Sequence, residues 1–113
     1  MNLSSQLNCS VLTNKNEISA VIKNGRKIKS DLGILYLFNI EKELFTKAAI
    51  FVKKNTGKAH YRNYIKRIFR FYIRSNFTLF KKYNRVIFFY NYKNKISYAF
   101  LKEHLTKTLK EAY

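Results

Sequence analysis

Residues 53–74 read KKNTGKAHYRNYIKRIFRFYIR. The stretch holds eight Lys or Arg (Lys53, Lys54, Lys58, Arg62, Lys66, Arg67, Arg70 and Arg74) and no Asp or Glu. Asn55-Thr56-Gly57 opens it as a turn in which Gly57 suits a positive φ. An amphipathic helix to about Asn76 follows. At about 100° per residue, Arg62, Lys66, Arg70 and Arg74 climb one face, with Asn63 and Arg67 on its flank. Ile65, Ile68, Phe69 and Tyr72 gather within about 100° on the other side. Such a helix buries one stripe and offers the other to a partner. Cations four residues apart repel one another unless an anion lies on them. A charge run is often only a solvated face, but no acid interrupts this one, which points to a polyanion.

The segments upstream are read from this helix. Thr13 or Asn14 caps a short helix in which Ile18, Val21 and Ile22 share a face, and Asn24-Gly25 stops it. Arg26-Lys27-Ile28-Lys29 is extended, and Asp31-Leu32-Gly33 is a turn. ILYLFNI (34–40) and FTKAAIFVKK (45–54) have strand length and composition, and the polar link between them suggests a hairpin. Ile34, Tyr36 and Phe38 point to one side of the first strand. Downstream, VIFFY (86–90) is apolar on both faces, as a central strand would be. Ser97 caps a last helix that buries Phe100, Leu101, Leu105 and Leu109. Residues 1–12 read as a loosely held tail before a single domain at 13–113. The order defines an α+β fold, a two-layer sandwich of a small mixed sheet and a central basic helix.

The chain has 113 residues, a net charge of +17 and 47% hydrophobic residues, 17% being aromatic. That is enough apolar material for a core, and the charge predicts an anionic partner. No acid lies between Leu44 and Lys102, so the positive field is concentrated mid-chain. The one cysteine, Cys9, permits no internal disulfide. No window has the roughly 18 apolar residues of a membrane span, and the N-terminus lacks the pattern of a signal peptide. A cytoplasmic protein is expected, with no membrane and no protein partner required.

Phosphodiester chemistry needs an acid, a base or carboxylate-held metals. The six acids (Glu17, Asp31, Glu41, Glu43, Glu103 and Glu111) form no cluster by spacing, and His60 and His104 sit on different elements. Gly57-Lys58-Ala59 lacks the remainder of a Walker phosphate loop. The residues therefore argue for a binder, with no catalytic and no metal-ligating residue assigned in this chain. Three binders remain open: an RNA-binding protein, a module that lays the basic helix in a DNA groove, and a membrane-surface protein.

The central stretch also resembles the signature of the bacterial ribonuclease P protein subunit. Eight positions match it: Lys53, Lys54, Gly57, Ala59, Arg62, Asn63, Lys66 and Arg67. Tyr64 stands where the family carries a second arginine, and Asn84-Arg85 and Tyr90-Asn91 flank the apolar strand where it carries an Asp and an Arg. The resemblance implies a partner of ribonuclease P RNA, which holds Mg²⁺ and removes the 5′ leader from precursor tRNA. The holoenzyme is then an endoribonuclease whose catalytic centre lies in the RNA. Arg62, Asn63, Lys66 and Arg67 would face that RNA, Lys53 and Lys54 would bind phosphate, and Lys58, Arg70 and Arg74 join the RNA-binding surface by their place in the basic run alone. Tyr36 and Phe51 would line a cleft for the leader. Ile18 and Ile22 stand where the family has cleft-lining aromatics. A general RNA-binding or ribosome-associated protein is the alternative.

Overall fold

A computed structural model describes residues 9–43, 45–80 and 82–112. Among the described residues five strands are formed, β1 (Cys9–Val11), β2 (Arg26–Ser30), β3 (Gly33–Phe38), β4 (Thr46–Val52) and β5 (Arg85–Tyr90). The helices are α1 (Lys15–Asn24), α2 (Ala59–Ser75) and α3 (Tyr98–Ala112), with short 3-10 turns at Lys54–Thr56 and Phe77–Phe80. The sheet runs β1-β4-β5-β3-β2. β1 and β5 lie parallel to β4, while β3 is antiparallel to β5 and to β2. This is the mixed sheet and central basic helix that the sequence indicates.

Helix ends follow the local chemistry. The Asn14 side chain accepts a hydrogen bond from the Glu17 N–H at 3.0 Å and caps α1. The Gly25 N–H closes the other end on the Val21 carbonyl at 2.7 Å. Ser97 Oγ accepts from the Phe100 N–H at the start of α3, at 3.2 Å.

Alternation along β3 divides the sheet into two faces. Leu35 and Leu37 are fully buried on one, with Ile28, Ile50, Val86 and Phe88. α2 and α3 cover that face with Ile65, Phe69, Tyr72, Ile73, Leu101, Leu105 and Leu109. The Tyr72 hydroxyl and Thr106 Oγ1 lie 2.8 Å apart and join the two helices. The other face packs Leu12, Ala49 and Ile87 against Val21 and Ile18 of α1. α1 is short and covers only one end of it.

Three expectations are corrected. The tail ends earlier than residue 12, because Cys9–Val11 pairs with Thr46–Ala48 of β4 and Leu12 is buried; residues 1–8 lie outside the described residues. β3 and β4 do not form a hairpin, because β5 occupies the place between them. A strand apolar on both faces gains most at the sheet centre, so β5 displaces the local pairing. The hairpin is instead β2–β3, across the Asp31-Leu32 turn. Gly57 has φ 162°, which is extended backbone open to any residue. Space explains it better, since a Cβ there would meet the Tyr61 ring at 3.0 Å. The positive φ belongs to Gly33, at 150°, where a Cβ would strike the Phe89 carbonyl oxygen.

The β3–β4 connection passes the start of β5, and two residues there hold it. Asn84 accepts from the Ile40 N–H and donates to the Ile40 carbonyl, both at 2.8 Å, and donates to the Glu43 carbonyl at 3.2 Å. Arg85 is completely buried and pairs with Glu17 of α1 and, at 2.8 Å, with Glu43. It also donates to the carbonyls of Phe45 and Asn84, at 3.1 and 2.7 Å. One cation thus ties α1, the connection and β5 together.

Candidate nucleic-acid interface

The cations of α2 fall into two groups. Ile65, Ile68, Phe69, Tyr72 and Ile73 are buried, and Ile73 widens the apolar stripe beyond the expected one. That pushes Arg62, Lys66 and Arg70 to the flank, where they are half-buried. The Nε of Arg62 is buried without a partner. Asn63, Arg67 and Arg74 stand on the exposed crest. The Arg67 guanidinium lies 5.7 Å from the Tyr64 ring centroid, within cation–π range. Among the described residues, no carboxylate lies within ion-pair distance of any α2 cation.

The flank opens on a groove of about 410 Å³. Lys66 and Arg70 line one wall, and Ile18, Ala49 and Phe51 line the apolar side. β1 pairs with β4 only as far as Ala48, so this groove runs along the β4 edge beyond it. It joins the basic helix to the sheet face that α1 leaves open.

On that face the register sets a row across four strands: Lys29, Ile34, Phe89 and Phe51. Phe51 stacks on Phe89 with centroids 5.0 Å apart. Tyr36 meets Phe89 edge-on at 5.8 Å. Phe51 is 40% exposed, whereas Tyr36 and Phe89 are half-buried. Lys29 and Lys53 line the same shallow depression. The result is an aromatic shelf with a cation at each end, suited to unpaired bases whose phosphates reach the lysines.

Six of the thirteen expected site residues come together around these two grooves. Ile18, Phe51, Lys66 and Arg70 share one groove, and Phe51 and Lys53 share the next. Tyr36 joins them through Phe89. Lys58 is exposed at the α2 start, in a hollow with His60, Tyr61 and Lys95. Lys54 is exposed on the 3-10 turn before α2. Ile22 is 37% exposed and lines neither of the two grooves. Sequence reasoning missed Phe89, Ile34 and Lys29. Phe89 was hidden in an apolar run whose faces only register can separate.

His104 is engaged elsewhere, 4.2 Å from the Phe100 ring centroid and 3.6 Å from an Asp31 oxygen. Among the described residues, no three His, Cys, Asp or Glu side chains are placed to hold a metal ion. Among the same residues, no helix is long and apolar enough to cross a membrane.

Fold and surface together define a basic α+β protein with a cationic helix beside an aromatic shelf. The Ribonuclease P family model matches residues 7–113, and the chain belongs to that family. Its role is accordingly in tRNA processing, as part of a ribonuclease that contains RNA. The fold is similar to that of the RNase P protein of Staphylococcus aureus, with a TM-score of 0.77 and 19% identity, over 89% of this chain and 93% of that one. The RNase P protein of Thermotoga maritima is similar at a TM-score of 0.75 and 21% identity, over 89% and 96%. A Staphylococcus aureus RNase P protein mutant with defective mRNA degradation activity is similar too, at 0.76 and 19%, over 97% and 92%. No curated protein sequence matches the chain.

Proposed function

We propose that this chain is the protein subunit of ribonuclease P, binding the catalytic RNA through α2 and the 5′ leader of precursor tRNA on the aromatic shelf. The observation that carries the reading is the continuity of the two surfaces: Lys66 and Arg70 share a groove with Ile18 and Phe51, and Phe51 stacks on Phe89 of the shelf. A single strand leaving the shelf can therefore pass directly onto the basic helix. Arg62, Asn63, Lys66 and Arg67 face the RNA subunit, Arg70 and Arg74 continue that surface, and Lys53, Lys54 and Lys58 take phosphates. Tyr36 and Phe51 contact leader bases, with Ile18 as an apolar wall; Ile22, outside both grooves, is left out of this reading.

In this reading the chain contributes binding and positioning, and Mg²⁺ and the bond-breaking step belong to the RNA. The acids support this: of the six, Glu17 and Glu43 are committed to Arg85, and Asp31 lies beside His104. The cytoplasm, where precursor tRNA is made, is the proposed location.

Reconstitution tests the reading. The chain is mixed with a bacterial ribonuclease P RNA at low Mg²⁺, and release of the 5′ leader from a precursor tRNA is followed. Stimulation that requires the RNA and falls in Arg62→Ala/Lys66→Ala is expected. RNA binding without stimulation supports a general RNA-binding protein, and cleavage without the RNA places an active site in this chain.

A further inference from the structure

The crest of α2 carries one residue that a phosphate-binding ridge does not need. Asn63, Arg67, Phe71 and Arg74 fall within about 80° of arc on the helix. Phe71, between the two arginines, is 54% exposed. Its ring meets Tyr98, the first residue of α3, with centroids 5.0 Å apart and planes 68° from parallel. Tyr98 is half-buried, so one ring of the pair is anchored and the other stands out. The shelf lies against the α1 side of the sheet, whereas this pair lies where α2 meets α3, on the other side.

We propose that Phe71 and Tyr98 form a second nucleobase platform, which stacks an unpaired base of the RNA partner while Arg67 and Arg74 hold the adjoining phosphates. The proposal rests on the RNA-binding reading above. An exposed aromatic ring flanked by cations at i−4 and i+3 matches the alternation of base and phosphate along a strand. Charge selects RNA over a second copy of the chain, since two molecules of net charge +17 repel each other. A single exposed ring also falls far short of the roughly 800 Å² per partner that a stable protein interface buries.

The chain contains no tryptophan. Phe71→Trp therefore introduces a lone indole, excited apart from the tyrosines. On titration with a bacterial ribonuclease P RNA, its emission is expected to be quenched with affinity retained. Phe71→Ala and Phe71→Leu are expected to weaken binding about 5- to 150-fold, the range for one lost stack. The salt dependence of their affinity should match wild type, because no cation is removed. Loss in both Ala and Leu with retention in Trp separates stacking from a packing role. Unchanged affinity of Phe71→Ala, or an unquenched indole in the bound state, overturns the proposal. So does wild-type self-association that Phe71→Ala abolishes without changing RNA affinity, which marks a protein contact instead. If wild type binds no RNA at all, the RNA reading itself fails and this platform with it.

Discussion

Phe51 lies flat against Phe89, the ring planes 19° from parallel and the centroids 5.0 Å apart. Phe51 is the exposed member of the pair, and Phe89 is its support. Phe51→Ala should therefore weaken binding of leader-bearing precursor tRNA by about 1–3 kcal/mol, the cost of one lost base stack. Binding of leaderless tRNA should not change. Equilibrium binding of both RNAs to the holoenzyme checks this, and an equal loss for the two would remove Phe51 from the leader site.

Arg67 sits on the exposed crest, with its guanidinium near Tyr64. Arg67→Ala should lower the steepness of log K against log salt for RNA binding by about one. The weakening should be uniform across RNA sequences, because phosphates carry no sequence information. Filter binding over a series of salt concentrations measures it.

The Arg85 cluster predicts an asymmetry. The Arg85 side chain is 0% exposed, whereas those of Glu17 and Glu43 are 22% and 49% exposed. Glu17→Ala leaves a buried cation short of a partner and should cost about 3 kcal/mol. That is a fall in Tm of more than about 10 °C for a domain of this size. Arg85→Met leaves two carboxylates that water can still reach, and should cost less. Thermal melts of the two variants decide the order.

Tyr90 is 1% exposed, and its hydroxyl makes no well-formed hydrogen bond although the Tyr61 phenol lies beside it. Burial, with Tyr61 adding to it, pushes its pKa up from the ordinary 10.0. A raised folded pKa gives stability that is complete below the unfolded value and is lost as pH rises past it. Above pH 10 the unfolded chain releases this proton and the native one keeps it. Stability should fall there by up to about 1.4 kcal/mol per pH unit for this group. Tyr90→Phe should flatten that part of the profile in urea denaturation between pH 8 and 11.

How much of this was legible depended on whether the signal was local. Arg62, Lys66 and Arg70 were readable because helical spacing alone puts them on one side. The caps at Asn14 and Ser97 were readable from residue type. The β2–β3 hairpin could be read only as an extended basic stretch and a turn, while the false β3–β4 hairpin was suggested by proximity in the chain. Its rejection depends on β5, some 40 residues later than β4 begins, which no local pattern contains. Phe89 and Lys29 join Phe51 only through pairing across the sheet, so their part in the shelf was invisible. Arg85 seemed a departure from the family pattern beside its strand; it is the buried cation that holds the connection.

The absence of carboxylates within reach of the α2 cations, among the described residues, has a kinetic consequence. A cation already held by a neighbouring acid must break that bond before it accepts a phosphate. None of these cations is so occupied, and the two acids nearest the core are spent on Arg85. Encounter with RNA then needs no prior rearrangement of the helix surface. Association should run near the diffusion limit at low salt and slow steeply as salt rises, with lifetime rather than capture rate distinguishing one RNA from another.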